Sequence, residues 1–211
     1  MIAPRDVAAV TAQLGRRPRG LRAVAHRCPC GLPDVAETAP RLPDGSPFPT
    51  LYYLTCPRAA AAIGRLEAAG TMREMTERLA DEQTKAAYGR AHQDYLARRD
   101  AAAAAAGVEP LPAGTQSAGG MPDRVKCLHA LAAHELAVPG SNPFGREALD
   151  AIGPWWSRGP CIVLPPGDDP PVTPRMGGSR RPSPWGIRPQ TPRPDPDQRL
   201  REARDPSRGR D

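Results

Sequence analysis

The sequence predicts an α+β fold, mainly helical, with a small antiparallel sheet near the N-terminus and a disordered C-terminal tail. Three observations carry this. The run with the highest aromatic and β-branched content, 48–56, lies early in the chain and follows a segment dense in turn residues. After Pro57 the apolar residues recur at helical spacing. From residue 165 onward, 12 of the 28 prolines fall in 47 residues whose apolar side chains are scattered singly. Such a stretch cannot bury enough surface to offset about 1–2 kcal/mol per residue of backbone ordering. Residues 4–164 are therefore read as one globular α+β domain, and 165–211 as a Pro/Arg-rich disordered tail.

The elements follow in order. Asp6, Val7, Val10 and Leu14 space as a short helix stopped by Gly15. Strands are expected at 21–27, 34–39 and 48–56, with a rigid turn at Cys28-Pro29-Cys30-Gly31. Pro57 suits a first helical position, and Ala60, Ile63, Leu66 and Glu67 continue the helix to Gly70. Thr71 with Glu74 forms a capping-box pattern, and Met72, Met75, Leu79, Tyr88, His92, Tyr95 and Leu96 extend helical spacing through 71–106. A loop rich in Gly, Pro and Ser occupies 108–120. Helices are then expected over 122–138 and about 143–152.

Composition narrows the classes of function. The net charge is +6, and the tail holds ten arginines against seven acids, half of that excess. Only Lys85 and Lys126 are lysines, a usage that reflects a GC-rich genome rather than a ligand. Aromatics are 4% of the chain, so stacking platforms for nucleic acid are nearly absent and the folded part is not expected to bind it. No apolar run reaches the ~18 residues of a membrane span, and the N-terminus has no signal-peptide core. The chain is read as cytoplasmic, where its five cysteines (28, 30, 56, 127 and 161) would be reduced, liganded or reactive.

Three sets of residues could carry chemistry. The first is His26-x-Cys28-x-Cys30, Cys56, and Cys127-x-His129-x4-His134, since thiolates and imidazoles hold zinc or iron–sulfur clusters. No C-x2-C pair is present. On a regular helix over 122–138, His129 would point about 160° away from Cys127, and His134 would lie about 10.5 Å beyond it. That helix would then give one or two ligands and Cys28 and Cys56 the others. The plain alternative is burial, because free cysteine is a small hydrophobe. The second set is Cys127 as a nucleophile, beside Lys126 on the first turns of a helix, with a histidine base. The third is the loop 114–120 running into a helix at Pro122, an anion site formed by Gly119, Gly120, Arg124 and Lys126. It begins like a phosphate-binding loop but lacks the required Lys and Ser/Thr, and its glycines also read as a simple turn. The charges along 71–106 alternate in sign, as on a solvated face, although that stretch could also present a partner-binding surface.

Three blocks carry a resemblance: Arg27-Cys28-Pro29 with Gly31-Leu32-Pro33; the stretch from Asp44-Gly45-Ser46-Pro47-Phe48 to Cys56-Pro57; and Val125-Lys126-Cys127-Leu128-His129, through Ala133-His134, to Asn142-Pro143-Phe144-Gly145. In these blocks, over about 26–145, the chain resembles a bacterial family of unknown function, domain-of-unknown-function family 501, best represented in actinobacteria. The resemblance implies no activity. It places Cys28, Cys56, Cys127, His129 and His134 on motif positions, leaves Cys30 off them, and does not place Cys161. Relatives encoded near a septum-formation initiator and an exopolyphosphatase suggest a link to cell division. The expectation is thus a regulatory or structural domain with a Cys/His cluster, in which Cys28, Cys56, Cys127 and one of His129 or His134 hold zinc, ahead of iron–sulfur. The alternatives left open are an enzyme acting on a small anionic or phosphorylated substrate through Lys126, Cys127 and His129, and an interaction protein of cell division.

Overall fold

The computed structural model describes residues 2–164, so the disordered tail expected at 165–211 lies outside the described residues. Helix α1 (Pro4–Leu14) ends on Gly15 at φ 66°, a left-handed stop that glycine adopts without a side-chain clash. Strands β1 (Leu21–Arg27), β2 (Pro33–Thr38) and β3 (Tyr52–Leu54) form an antiparallel sheet in that order. Val35 pairs with His26 on one side and with Leu54 on the other. The third strand is shorter than the 48–56 expected from sequence. Pro47 and Pro49 have no N–H to give a ladder, and only Tyr52–Leu54 pair regularly.

Among the described residues six α-helices accompany this sheet, and α1 and α5 pack directly on its strands. Helix α2 (Pro57–Ala68) starts with Pro57 in its first turn, as expected. The stretch 71–106 is not one helix. Helix α3 (Thr71–Glu77) passes into a 3₁₀ turn at Arg78–Ala80, and α4 (Glu82–Ala106) begins anew. Asp81 is the reason: its backbone is extended, and its carboxylate accepts the Thr84 N–H at 2.8 Å, capping α4. Tyr88, Ala91, Tyr95, Ala102 and Ala103 then face the interior, while the alternating charges of Glu82 and Lys85 stay in solvent.

The larger departure concerns α5 (Leu128–Ala137), which begins six residues later than the sequence suggests. Residues 118–126 fold as successive turns. The Met121 N–H donates to Ala118, Arg124 to Gly120, and Lys126 to Gly119 at 2.6 Å, so these donors do not enter a helical ladder. Cys127 stands at the N-cap with φ −152° and ψ 107°. Helix α6 (Pro143–Ile152) is capped by Asn142, whose side chain accepts the Gly145 N–H at 2.9 Å.

The core gathers Val35, Leu51, Tyr52, Leu54, Ile63, Met75, Tyr88, Tyr95, Leu128, Leu131 and Phe144 between the sheet and α2, α4, α5 and α6. Glu135 is a buried charge whose partners are all supplied. The Glu135 carboxylate, 1% exposed, accepts the Gly140 and Asn142 N–H groups at 2.8 and 2.9 Å and binds Arg146 at 2.9 Å. That arrangement fixes the α5–α6 connection, as burial of a charge requires. It also gives the Asn142-Pro143-Phe144-Gly145 block a structural meaning, because a Cβ on Gly145 would overlap the Leu131 carbonyl.

Candidate functional site

Where α2 ends and α5 starts, Glu67, Cys127 and His129 come together. Because Cys127 is extended rather than helical, the 160° separation expected on a regular helix does not arise. His129 on the first turn of α5 turns back beside the Cys127 thiol. One ligand atom from each residue, a carboxylate oxygen, the sulfur and a ring nitrogen, all lie within 4.8 Å of one another. Glu67 Oε1 is 3.0 Å from His129 Nδ1 and accepts the Leu128 N–H at 2.7 Å, so it also caps α5 from another helix. His129 Nε2 donates to the Ala60 carbonyl at 3.0 Å. All three side chains are partly exposed, His129 to 33% and Glu67 to 22%, so the cluster opens to solvent.

The chemistry of this ring is well defined. A carbonyl can only accept, so Nε2 carries a proton and Nδ1 faces the two acidic partners. The Cys127 sulfur first, and then Glu67 and Ala60, lift His129 to about 9 against the lowering effect of burial. Without a metal the ring is therefore an imidazolium at neutral pH, with both nitrogens committed to acceptors. A protonated ring cannot itself withdraw a proton, although an imidazolium beside a thiol also stabilises the thiolate. The arrangement suits a ligand that gives Nδ1 to a cation while Nε2–H, bonded to a backbone carbonyl, fixes the ring.

The other candidates lie elsewhere. Among the described residues, Cys28 and Cys56 do not join Cys127 in a group of three donors. Cys28 is buried, hydrogen-bonded to Cys30, and pushed up to about 12 chiefly by burial. Cys56, at the N-cap of α2, lies near Cys161. His134, 0% exposed, points its Nε2 at Asp94 at 2.9 Å, stacks on Tyr52 and meets the Tyr95 edge, deep on the opposite side of α5 from the cluster. The expected four-ligand set of Cys28, Cys56, Cys127 and a histidine is thus divided among separate places, because the sheet and α2 hold the first two sulfurs apart from the α5 N-terminus.

The anion loop changes meaning as well. Its glycines do not lead into a helix N-terminus, since residues 122–127 are not helical. A Cβ on Gly119 would lie 2.5 Å from the Leu131 side chain, and one on Gly120 would lie 2.6 Å from the Arg124 carbonyl. Close packing accounts for both. Arg124 and Lys126 are exposed. Glu67 is the residue that sequence reasoning read only as a helix position. Nothing in its neighbourhood marks it, and it lies 60 residues from Cys127 in the chain.

No curated protein and no solved structure matches the chain. A family described as "Protein of unknown function (DUF501)" matches residues 24–150, well over half of the chain and the whole span that builds the cluster. The chain belongs to this family of proteins of unknown function.

Proposed function

We propose that this protein binds one divalent transition-metal ion, zinc by its donor set, through Glu67 Oε1, Cys127 Sγ and His129 Nδ1. The observation that carries the reading is the convergence of the three unlike donors within 4.8 Å, with the second ring nitrogen already anchored on Ala60. Zinc bonds of about 2.0–2.3 Å in a tetrahedron place ligands roughly 3.3–3.8 Å apart, so small side-chain movements close the set around an ion. One thiolate, one imidazole and one carboxylate suit zinc. A cubane or rhombic iron–sulfur cluster draws mainly on cysteines, which this cluster does not supply.

Three protein donors leave a fourth position for water or a ligand, which is the pattern of catalytic rather than closed structural zinc. This favours a second reading: an enzyme acting on a small anionic or phosphorylated substrate. In it Cys127 and His129 hold the ion instead of attacking the substrate, and the exposed Lys126 beside them supplies positive charge. The test is elemental analysis of untagged protein after zinc loading and gel filtration. The reading expects one zinc per chain in the wild type and loss of most of it in Cys127→Ser and in His129→Asn. Retention of zinc in both variants would sink it.

A further inference from the structure

A second sulfur pair stands apart from the metal cluster. Cys56, fully buried at the start of α2, and Cys161, half-buried in the segment after α6 and packed against the same core cluster, are close enough for each thiol to shift the other. The surroundings are built for a sulfur anion at Cys161. Gln13 from α1 donates its side-chain amide to Cys161 Sγ at 3.3 Å, and the same amide bonds the Pro33 carbonyl at 2.6 Å, which fixes its direction. Arg58, the second residue of α2, donates to the Gly159 carbonyl at 2.6 Å and ties the segment before Cys161 to the start of that helix. We infer that Cys161 and Cys56 are a peroxide-reactive thiol pair that closes to a disulfide, with Cys161 as the attacking sulfur and Cys56 as the resolving one.

The assignment of roles follows from access and charge. Cys161 meets solvent, while Cys56 is shielded by the core. The Cys56 S–H first, then the Gln13 amide and Arg58, favour the Cys161 thiolate and bring it down to about 6, despite burial. The same contact and burial push the Cys56 thiol up. Thiolate is the nucleophilic form, so at neutral pH only one sulfur of the pair is reactive. The chemistry balances with a hydroperoxide as oxidant. The Cys161 thiolate attacks the O–O bond, forming S–O and releasing the other oxygen as water or alcohol after it takes a proton. The Cys56 sulfur then attacks the sulfenic sulfur, the S–S bond forms, and hydroxide leaves as water with the Cys56 proton. Two electrons pass from the two thiols to the peroxide.

The inference is independent of the metal reading, because neither sulfur belongs to the Glu67 cluster. Its test is brief exposure of the full chain to substoichiometric hydrogen peroxide, followed by intact-mass and peptide mapping. The expected product is a loss of two hydrogens located in a Cys56–Cys161 disulfide and reversed by dithiothreitol. In Cys56→Ser, dimedone should trap Cys161 as a sulfenic acid, because the resolving sulfur is gone. Oxidation that instead settles on Cys28, Cys30 or Cys127, with Cys56 and Cys161 still reduced, would overturn it.

Discussion

At the scale of single residues, the cluster depends on what His129 does with its second nitrogen. At the proposed site proton and metal would compete for Nδ1, and the ring's proton affinity is raised to about 9. Zinc affinity should therefore rise with pH between 6 and 8, about tenfold per unit from this ring alone, as competition with a chromophoric chelator would show. An affinity flat across that range would place the metal on other donors. Glu67 has two jobs, one on the ring and one on the Leu128 N–H. Glu67→Gln keeps the cap but removes the anion, so it should weaken zinc by at least about tenfold, with only the small loss of metal-free stability, about 1 kcal/mol or less, that a partly exposed ion pair contributes. Glycines make a sharper contrast. Gly145→Ala forces a methyl into the Leu131 carbonyl and should cost at least about 1–3 kcal/mol. Gly64→Ala, in the middle of α2 with nothing within 4 Å of the new Cβ, should stabilise by roughly 0.5–1 kcal/mol. Chemical denaturation of the two variants measures both.

At the scale of elements, caps decide where helices begin, and the sequence shows some caps better than others. Asn142 with Pro143 marks α6 plainly, and Pro57 marks α2. Asp81 was hidden because the residues on either side of it sustain helical spacing, so 71–106 reads as continuous until the carboxylate is seen on Thr84. Asp81→Ala should cost about 1 kcal/mol and fray the start of α4, measurable by denaturation and by faster amide exchange at Thr84 and Lys85. The α5 start was hidden for the opposite reason. Gly119, Gly120 and Pro122 imitate a helix entrance, but their turns tie the chain to itself and postpone the helix to Leu128. This is why Cys127 and His129 were legible as a pair of interesting residues yet not as neighbours. Glu67 was not legible, since tertiary packing of α2 on α5 brings it there. The candidate cluster could therefore be partly read from the chain, while its geometry could not.

At the scale of the whole molecule, buried His134, paired with the partly exposed Asp94, couples stability to pH. Burial lowers His134 below its ordinary 6.5, with Asp94 opposing the shift. The unfolded chain takes up this proton near 6.5 and the native protein does so only at lower pH. The associated stability is thus present in full above about 6.5 and is lost as pH falls toward the depressed native value. Stability measured by urea unfolding at pH 8, 6.5 and 5.5 should fall over the last interval, and His134→Gln should flatten that fall. Asp94 adds a separate window. Burial would raise it, but Arg98 and His134 outweigh that effect and hold it below the ordinary carboxylate value, so its contribution disappears only at pH below about 4. With His134 in this pair, Cys28 beside Cys30 and Cys56 beside Cys161, the α2–α5 junction is, among the described residues, where donors of three kinds converge.

Substitution of cobalt(II) into the full-length protein tests that convergence most directly, because its spectrum reports the number of sulfur ligands. The account predicts one cobalt per chain with a single thiolate charge-transfer band, abolished in Cys127→Ser and unaffected in Cys28→Ser. A multi-thiolate spectrum lost on replacing Cys28 or Cys56, or no tetrahedral cobalt at all, would contradict it.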